Sequence, residues 1–349
     1  MAVCKFEGNS DMYGLGIRLG YYFQWYGAIF AAWLAPSEVR GLRFTIDAFV
    51  SASFLALIIL TAGDIKSLEP AETYIVLLLM FGAYLALIPI YIWRILTACD
   101  PYWDPSRYPL VRYSALSANL SFILLIGVLV YQYWFWFNRV PDLNQYNCQQ
   151  YGFVLGQVRL NSKASVVLNA LMYFMIGLIC LYLLLLKVRA IAGRPDPMER
   201  RKKRKMSRRH LATHIELLRN MDTWFKIVVA LAVTVATELT ISWNEIKGVN
   251  NLSSAGQTIP FIIGLFALIR IFYVYLFKSD ENSGSEYSYY ADSDPLLDRD
   301  LPPRMGEVRH RGGGPTRPMA ARVGGRGIRH PLPDSRLPRP AYLTRDLHR

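Results

Sequence analysis

Seven long apolar runs, separated by shorter polar stretches, constrain this chain more than any other feature of it. They are, in outline, Ile17–Leu34, Phe44–Leu60, Thr73–Trp93, Ala115–Phe137, Ser165–Leu186, Phe225–Ile241 and Ile259–Phe277. A helix needs about 20 mostly apolar residues to cross the hydrocarbon core of a bilayer. Within lipid, helices and closed barrels alone satisfy every backbone polar group. The core helices of a water-soluble protein are usually shorter and amphipathic. The expected fold class is therefore all-α, a polytopic membrane bundle of seven transmembrane helices. The composition, 53% hydrophobic, matters less than its distribution into runs.

Orientation follows from Lys and Arg in the connecting loops. From Lys187 to Met221 the chain carries 12 basic and 3 acidic residues, and from Lys278 onward 13 basic and 10 acidic. With seven spans these two segments fall on one side, which the excess of positive charge makes cytoplasmic. Arg40 and Arg43 join them, as do Arg94, Arg107 and Arg112. The opposite side holds Lys5, Lys66 and Lys247, and a longer loop with Arg139, Arg159 and Lys163. The N-terminus is thus expected outside or in a lumen, and the C-terminus in the cytoplasm. The opening "MAVCKFEGNSD" lacks the basic-then-apolar order of a signal peptide, so the first span is expected to stay in the mature protein. A secretory-pathway, vacuolar or plasma membrane is the expected location.

Residues 1–278 read as the membrane domain, with a basic cytoplasmic loop at 187–221. Residues 279–349 are rich in Gly, Pro, Ser and Arg and read as a disordered cytoplasmic tail. The run "MERRKKRKMSRRH" could bind nucleic acid in a soluble protein. Between two spans, attraction to anionic cytoplasmic lipid at 200–209 explains it more simply, at about 1 kcal/mol per basic residue. In the tail, "DSDPLL" fits an acidic dileucine sorting pattern, with Asp292 four residues before Leu296 and Leu297, which a sorting adaptor would read. "LATHIELLRNM" places Leu211, Ile215 and Leu218 on one face and is expected to lie at the interface before the sixth span. Its His210 and His214 have two-histidine metal spacing, but a histidine-box metal centre needs more such residues, and interfacial polar roles fit better. No metal site or cofactor is expected. No nucleophile elbow, phosphate loop or H-E-x-x-H box is present. The aromatic stretch "YQYWFWFNR" reads as an interfacial belt. Cys4 and Cys148 are the two cysteines on the outer side and form a candidate disulfide. Asn251 opens a glycosylation sequon on that same side.

Polar residues within the spans are the most informative set, because each is costly in lipid. Arg18, Gln24, Gln132, Asn169 and Glu238 fall toward the outer ends of their spans. Asp47, Asn119 and Arg270 fall toward the inner halves. Opposite charges at matching depth suggest two pairs, Arg18 with Glu238 and Asp47 with Arg270. Trp25, about two turns from Arg18 on the same face, should line the outer region.

The stretches "CKFEGNSDMYGLGIRLGYYFQW" and "ELTISWNEIKGVNNLSSAGQTIPFIIGLFALIRIFY" resemble a broad family of multi-spanning integral membrane proteins of filamentous fungi. Its members open with a Cys, an Asn-Pro-Asp-like stretch and G-x-G-x-R-x-G-x-Y, and carry S-x-G-Q-x-I-P-F before the last span. Here Ser10 replaces the proline. The resemblance covers the first span and the last two, and implies a fungal source and a shared membrane fold, with no activity attached.

These observations lead to the expectation of a sensor or transporter for a small ligand or ion, using the outer polar cluster. A membrane-embedded enzyme acting on lipids or terpenes is the second reading, and a scaffold working through its tail is the third. A carboxylate pair converging in a closed cavity would favour the enzyme.

Overall fold

A computed structural model describes residues 3–64, 67–105, 115–145, 148–154, 156–192, 208–252 and 254–277. Seven long helices dominate it: α1 (Leu15–Leu34), α2 (Val39–Gly63), α3 (Pro70–Leu85, continued after Ala86 by Leu87–Leu96), α4 (Ala115–Trp134), α5 (Lys163–Ile191), α6 (Arg208–Trp243) and α7 (Ala255–Phe277). α2 through α7 are each long and apolar enough to cross a membrane. α1 is less apolar, because Arg18, Gln24 and three tyrosines interrupt it.

Packing explains how α1 nonetheless belongs with the spans. It lies along α7 in the same direction, with Gly16 beside Gln257, Gly20 beside Pro260, and Gly27 beside Ile271. A Cβ on Gly20 would come 2.7 Å from the Pro260 carbonyl oxygen, and one on Gly264 would come 2.8 Å from the Gly20 oxygen. The two backbones therefore touch, as small residues allow between membrane helices. With α2 and α6 packed on its other sides, α1 shows lipid only part of its surface. Its arginine, glutamine and tyrosine hydroxyls can turn inward. The bundle's innermost element is the first segment of α3, in which every residue from Pro70 to Gly82 is buried. Pro89, lacking an amide for the Leu85 carbonyl, accounts for the break at Ala86.

Three expectations are corrected. The segment "LATHIELLRNM" is not a separate interfacial helix; it is the first part of the 36-residue α6. At 1.5 Å per residue α6 runs about 54 Å, well beyond the hydrocarbon thickness, and its N-terminal turns pack on the 101–103 segment through His214. The loop at 187–221 is correspondingly helical over 187–191 and 208–221. The aromatic end of α4 is no simple belt. A π-turn at Phe135–Arg139 carries Phe135 and Trp136 into the core and leaves Phe137 outside. The π-turn adds a residue to the helical repeat and so shifts which side chains face inward.

The end of the bundle carrying the chain's N-terminal segment is closed by a cap. Cys4 is disulfide-bonded to Cys148. The amide of Cys4 donates to Gln149 O at 3.1 Å, and that of Gly8 to Lys247 O at 2.9 Å. A two-stranded antiparallel hairpin, β1 (Tyr151–Phe153) with β2 (Gln157–Arg159), completes it. Asn244 at the end of α6 clamps Tyr151, accepting from its amide at 2.8 Å and donating to its carbonyl at 2.7 Å. The dileucine residues Asp292, Leu296 and Leu297, and most of 200–209, lie outside the described residues.

Candidate functional site: a buried arginine beneath the cap

Arg18 sits one turn into α1, its amide bonded to Gly14 O. Its side chain is fully enclosed. Nη1 donates to Glu238 Oε2 of α6. Nη2 donates to Val249 O at 3.1 Å and to Asn250 Oδ1 at 2.8 Å. Tyr22, one turn further along α1, donates to the other carboxylate oxygen, Oε1, at 2.9 Å. One guanidinium thus ties α1 to α6 and to the turn that leads into α7. Bonds of this kind, with an ionised partner, are roughly twice as strong as neutral ones.

The two partners differ in one telling respect. The Arg18 side chain is 0% exposed and that of Glu238 is 45% exposed. The cation is locked in the protein, while the carboxylate opens onto the surface at the edge of α6. Nε of Arg18 has no partner among the described residues, and neither does either amide atom of Gln257, which abuts Gly14.

A second anionic hub stands nearby. The Glu72 carboxylate accepts from the Asn9 amide at 2.7 Å, the Tyr13 hydroxyl at 2.8 Å and the Glu69 amide at 2.8 Å. Glu69 and Glu72 form a capping box that starts α3. Glu69 also accepts from Gln150 Nε2 at 2.9 Å. Burial, reinforced by the Glu72 carboxylate, pushes the Tyr13 hydroxyl well above the usual tyrosine range, so it remains a donor. This hub anchors the N-terminal segment to α3. The signal for it was legible as Glu69-Pro-Ala-Glu72 ahead of an apolar run, a box whose N-cap is Glu in place of Ser or Thr.

The six residues expected to form one outer cluster divide. Arg18 and Glu238 meet, and Trp25 stands beside Tyr22 with ring centroids 5.9 Å apart. Gln24 is fully buried, and neither amide atom has a partner among the described residues. Asn169 donates to Ser165 O of its own helix at 2.9 Å. Gln132 is buried beside Tyr173 of α5. Depth along the spans does not determine azimuth: α4 packs on α2, α3 and α5, whereas α1 packs chiefly on α2, α6 and α7.

The inner pair of Asp47 with Arg270 does not form. Asp47 faces α4 and accepts from Ser121 Oγ at 2.5 Å. Arg270 lies on the exposed side of α7 and pairs with Glu38, in the turn before α2, at 2.8 Å. Arg270, 70% exposed, finds its counter-charge in Glu38 near the start of α2.

Sequence reasoning missed a third assembly, at the end of the bundle opposite the cap. His214, on the N-terminal part of α6, lies flat on Tyr102 with ring centroids 3.8 Å apart, and its Nε2 is 2.7 Å from Tyr102 O. Trp103 meets the same ring edge-on at 5.0 Å. Next to them a buried pair joins Arg94 to Asp104 at 3.3 Å. α6 therefore runs unbroken from Glu238 beneath the cap to His214 at the opposite end. No protein-family model, curated protein or solved structure matches the chain.

Proposed function

We propose that the protein is a membrane sensor that binds a small ligand beside the Arg18–Glu238 pair and passes the effect along α6 to the contact of His214 with Tyr102 and Trp103. The observation that carries this is the continuity of α6 between two polar assemblies at opposite ends of the bundle. Transport is less favoured, because the cap end is bolted by a disulfide, by Glu72 and by a buried guanidinium, and rocking the helices there would break them. The converging carboxylates Glu69 and Glu72 are spent on backbone amides and Gln150, which gives the enzyme reading no free pair. The distribution of Lys and Arg supports a cap that lies outside or in a lumen, with the His214 contact on the cytoplasmic side. The likeness to fungal multi-spanning proteins is consistent with this architecture.

Hydrogen exchange on the purified full chain tests the relay. Glu238→Gln removes the charge and keeps the shape. It should accelerate exchange about ten-fold around residues 102–104 and 214, within the usual range of coupling between distant sites. Changes confined to the cap would leave Arg18 as an anchor and end the sensor reading.

A further inference from the structure

α6 and α7 follow one another in sequence, yet both lean on α1 and touch each other little. At about 100° per residue, the side chains of α1 divide into three sectors. Arg18 and Tyr22 face α6, through Glu238. Gly16, Gly20 and Gly27 face α7. Between these sectors lies a stripe of Leu15, Leu19, Tyr26, Phe30 and Trp33, all partly exposed. Flanked by the α6 and α7 contacts, the stripe would form the floor of a shallow groove facing lipid. On one side Tyr26 meets Thr234 of α6 at 3.3 Å, and on the other Phe23 packs against Phe261 of α7 with centroids 5.9 Å apart. From Leu15 to Trp33 the floor is about 27 Å long, close to the hydrocarbon thickness.

Glu238 stands at the cap end of this groove and is the feature that selects an occupant. A carboxylate has about four acceptor positions. Arg18 and Tyr22 take one on each oxygen, and with the side chain 45% exposed the others are open to a further donor. The compensating guanidinium is wholly enclosed, so a ligand approaching from the bilayer meets negative charge and cannot reach the positive charge behind it.

The geometry points to a binding groove for a single-chain amphiphile with an ammonium headgroup, the chain lying along the α1 stripe and the ammonium donating to Glu238. This rests on the ligand-binding reading above and names its ligand class and lateral access route. An anionic headgroup would face Glu238 with like charge, and a neutral alcohol would lack the charge-assisted bond.

The test uses the full chain in neutral detergent at pH 7, with hexadecylamine, hexadecanoate and hexadecanol competing in native mass spectrometry. Hexadecylamine should bind at least about ten-fold more tightly than the other two. Glu238→Gln should abolish that preference while leaving the alcohol's binding unchanged. Leu19→Trp, which fills the floor without touching the ion pair, should weaken amine binding about ten-fold. Equal affinities for the three probes, or unchanged amine binding in either variant, would overturn the groove; the second variant keeps the test decisive if the first fails to fold. Amine binding without altered exchange near His214 would overturn the relay and leave the groove standing, and the converse would do the opposite.

Discussion

Glu238→Ala is expected to destabilise the protein by about 3–5 kcal/mol, because it strands a fully enclosed guanidinium without a counter-charge. Val249 O and Asn250 Oδ1 would still accept from Nη2, but neither carries a charge. Arg18→Ala acts differently. It leaves a carboxylate that is 45% exposed and can recruit water or a lipid headgroup, so its electrostatic cost is smaller. It also empties the volume of a large side chain and releases the 249–250 turn from α1. The two single changes should therefore differ, with Glu238→Ala causing the greater loss of folded protein in detergent. The double change should be milder than the sum, with a coupling of about 1–3 kcal/mol. Thermal unfolding of the four proteins in one detergent measures this. Simple additivity would mean that the pair does not hold α1 to α6.

Breaking the Cys4–Cys148 disulfide is the second large effect. It closes a separation of 144 residues, and removing a native bridge of this kind typically costs about 2–5 kcal/mol. The loss should be local as well as global. Glu72 would still hold Asn9 and Tyr13, whereas residues 3–6 would be left with the Cys4 amide to Gln149 O, the Lys247 amide to Phe6 O and the exposed Lys5–Glu245 pair. Cys4→Ser and Cys148→Ser should each lower the unfolding temperature, and protease should then cleave ahead of Asn9. Reductant should bring the wild type to the level of the variants and leave the variants unchanged. A wild type indifferent to reductant would contradict the bridge.

How much of this was legible in the residues differs from element to element. The spans were, because the bilayer demands long apolar runs and the chain supplies them. The meeting of Arg18 with Glu238 was legible too, since few opposite charges share a depth and each is costly alone. The same argument failed for Asp47 and Arg270. Depth is one coordinate, and the azimuths of α2 and α7 point those side chains at Ser121 and Glu38. Gln132 and Asn169 shared the right depth but belong to α4 and α5, and only packing decides that. The stacking of His214 on Tyr102 pairs residues 112 positions apart, one of them in a single 3₁₀ turn, and no local pattern encodes it. The length of α6 was hidden for a different reason. Its N-terminal turns are polar, and a hydropathy reading stops where lipid stops, although the helix continues.

α1 is the helix on which the site is built. It is the one helix of the seven that its own composition does not qualify as a span, and it carries Arg18, the groove floor and the close contact with α7. From its parallel course beside α7 we propose that it crosses the membrane with α7, the two ends of the chain then lying on opposite sides. The direct measurement is accessibility in sealed, oriented vesicles, with an epitope ahead of Cys4 and another after Lys278. Intact vesicles should expose one epitope and protect the other, the C-terminal one lying on the cytoplasmic face. Both epitopes on the same face would mean that α1 does not cross, and would contradict the seven-helix bundle and the site built on it.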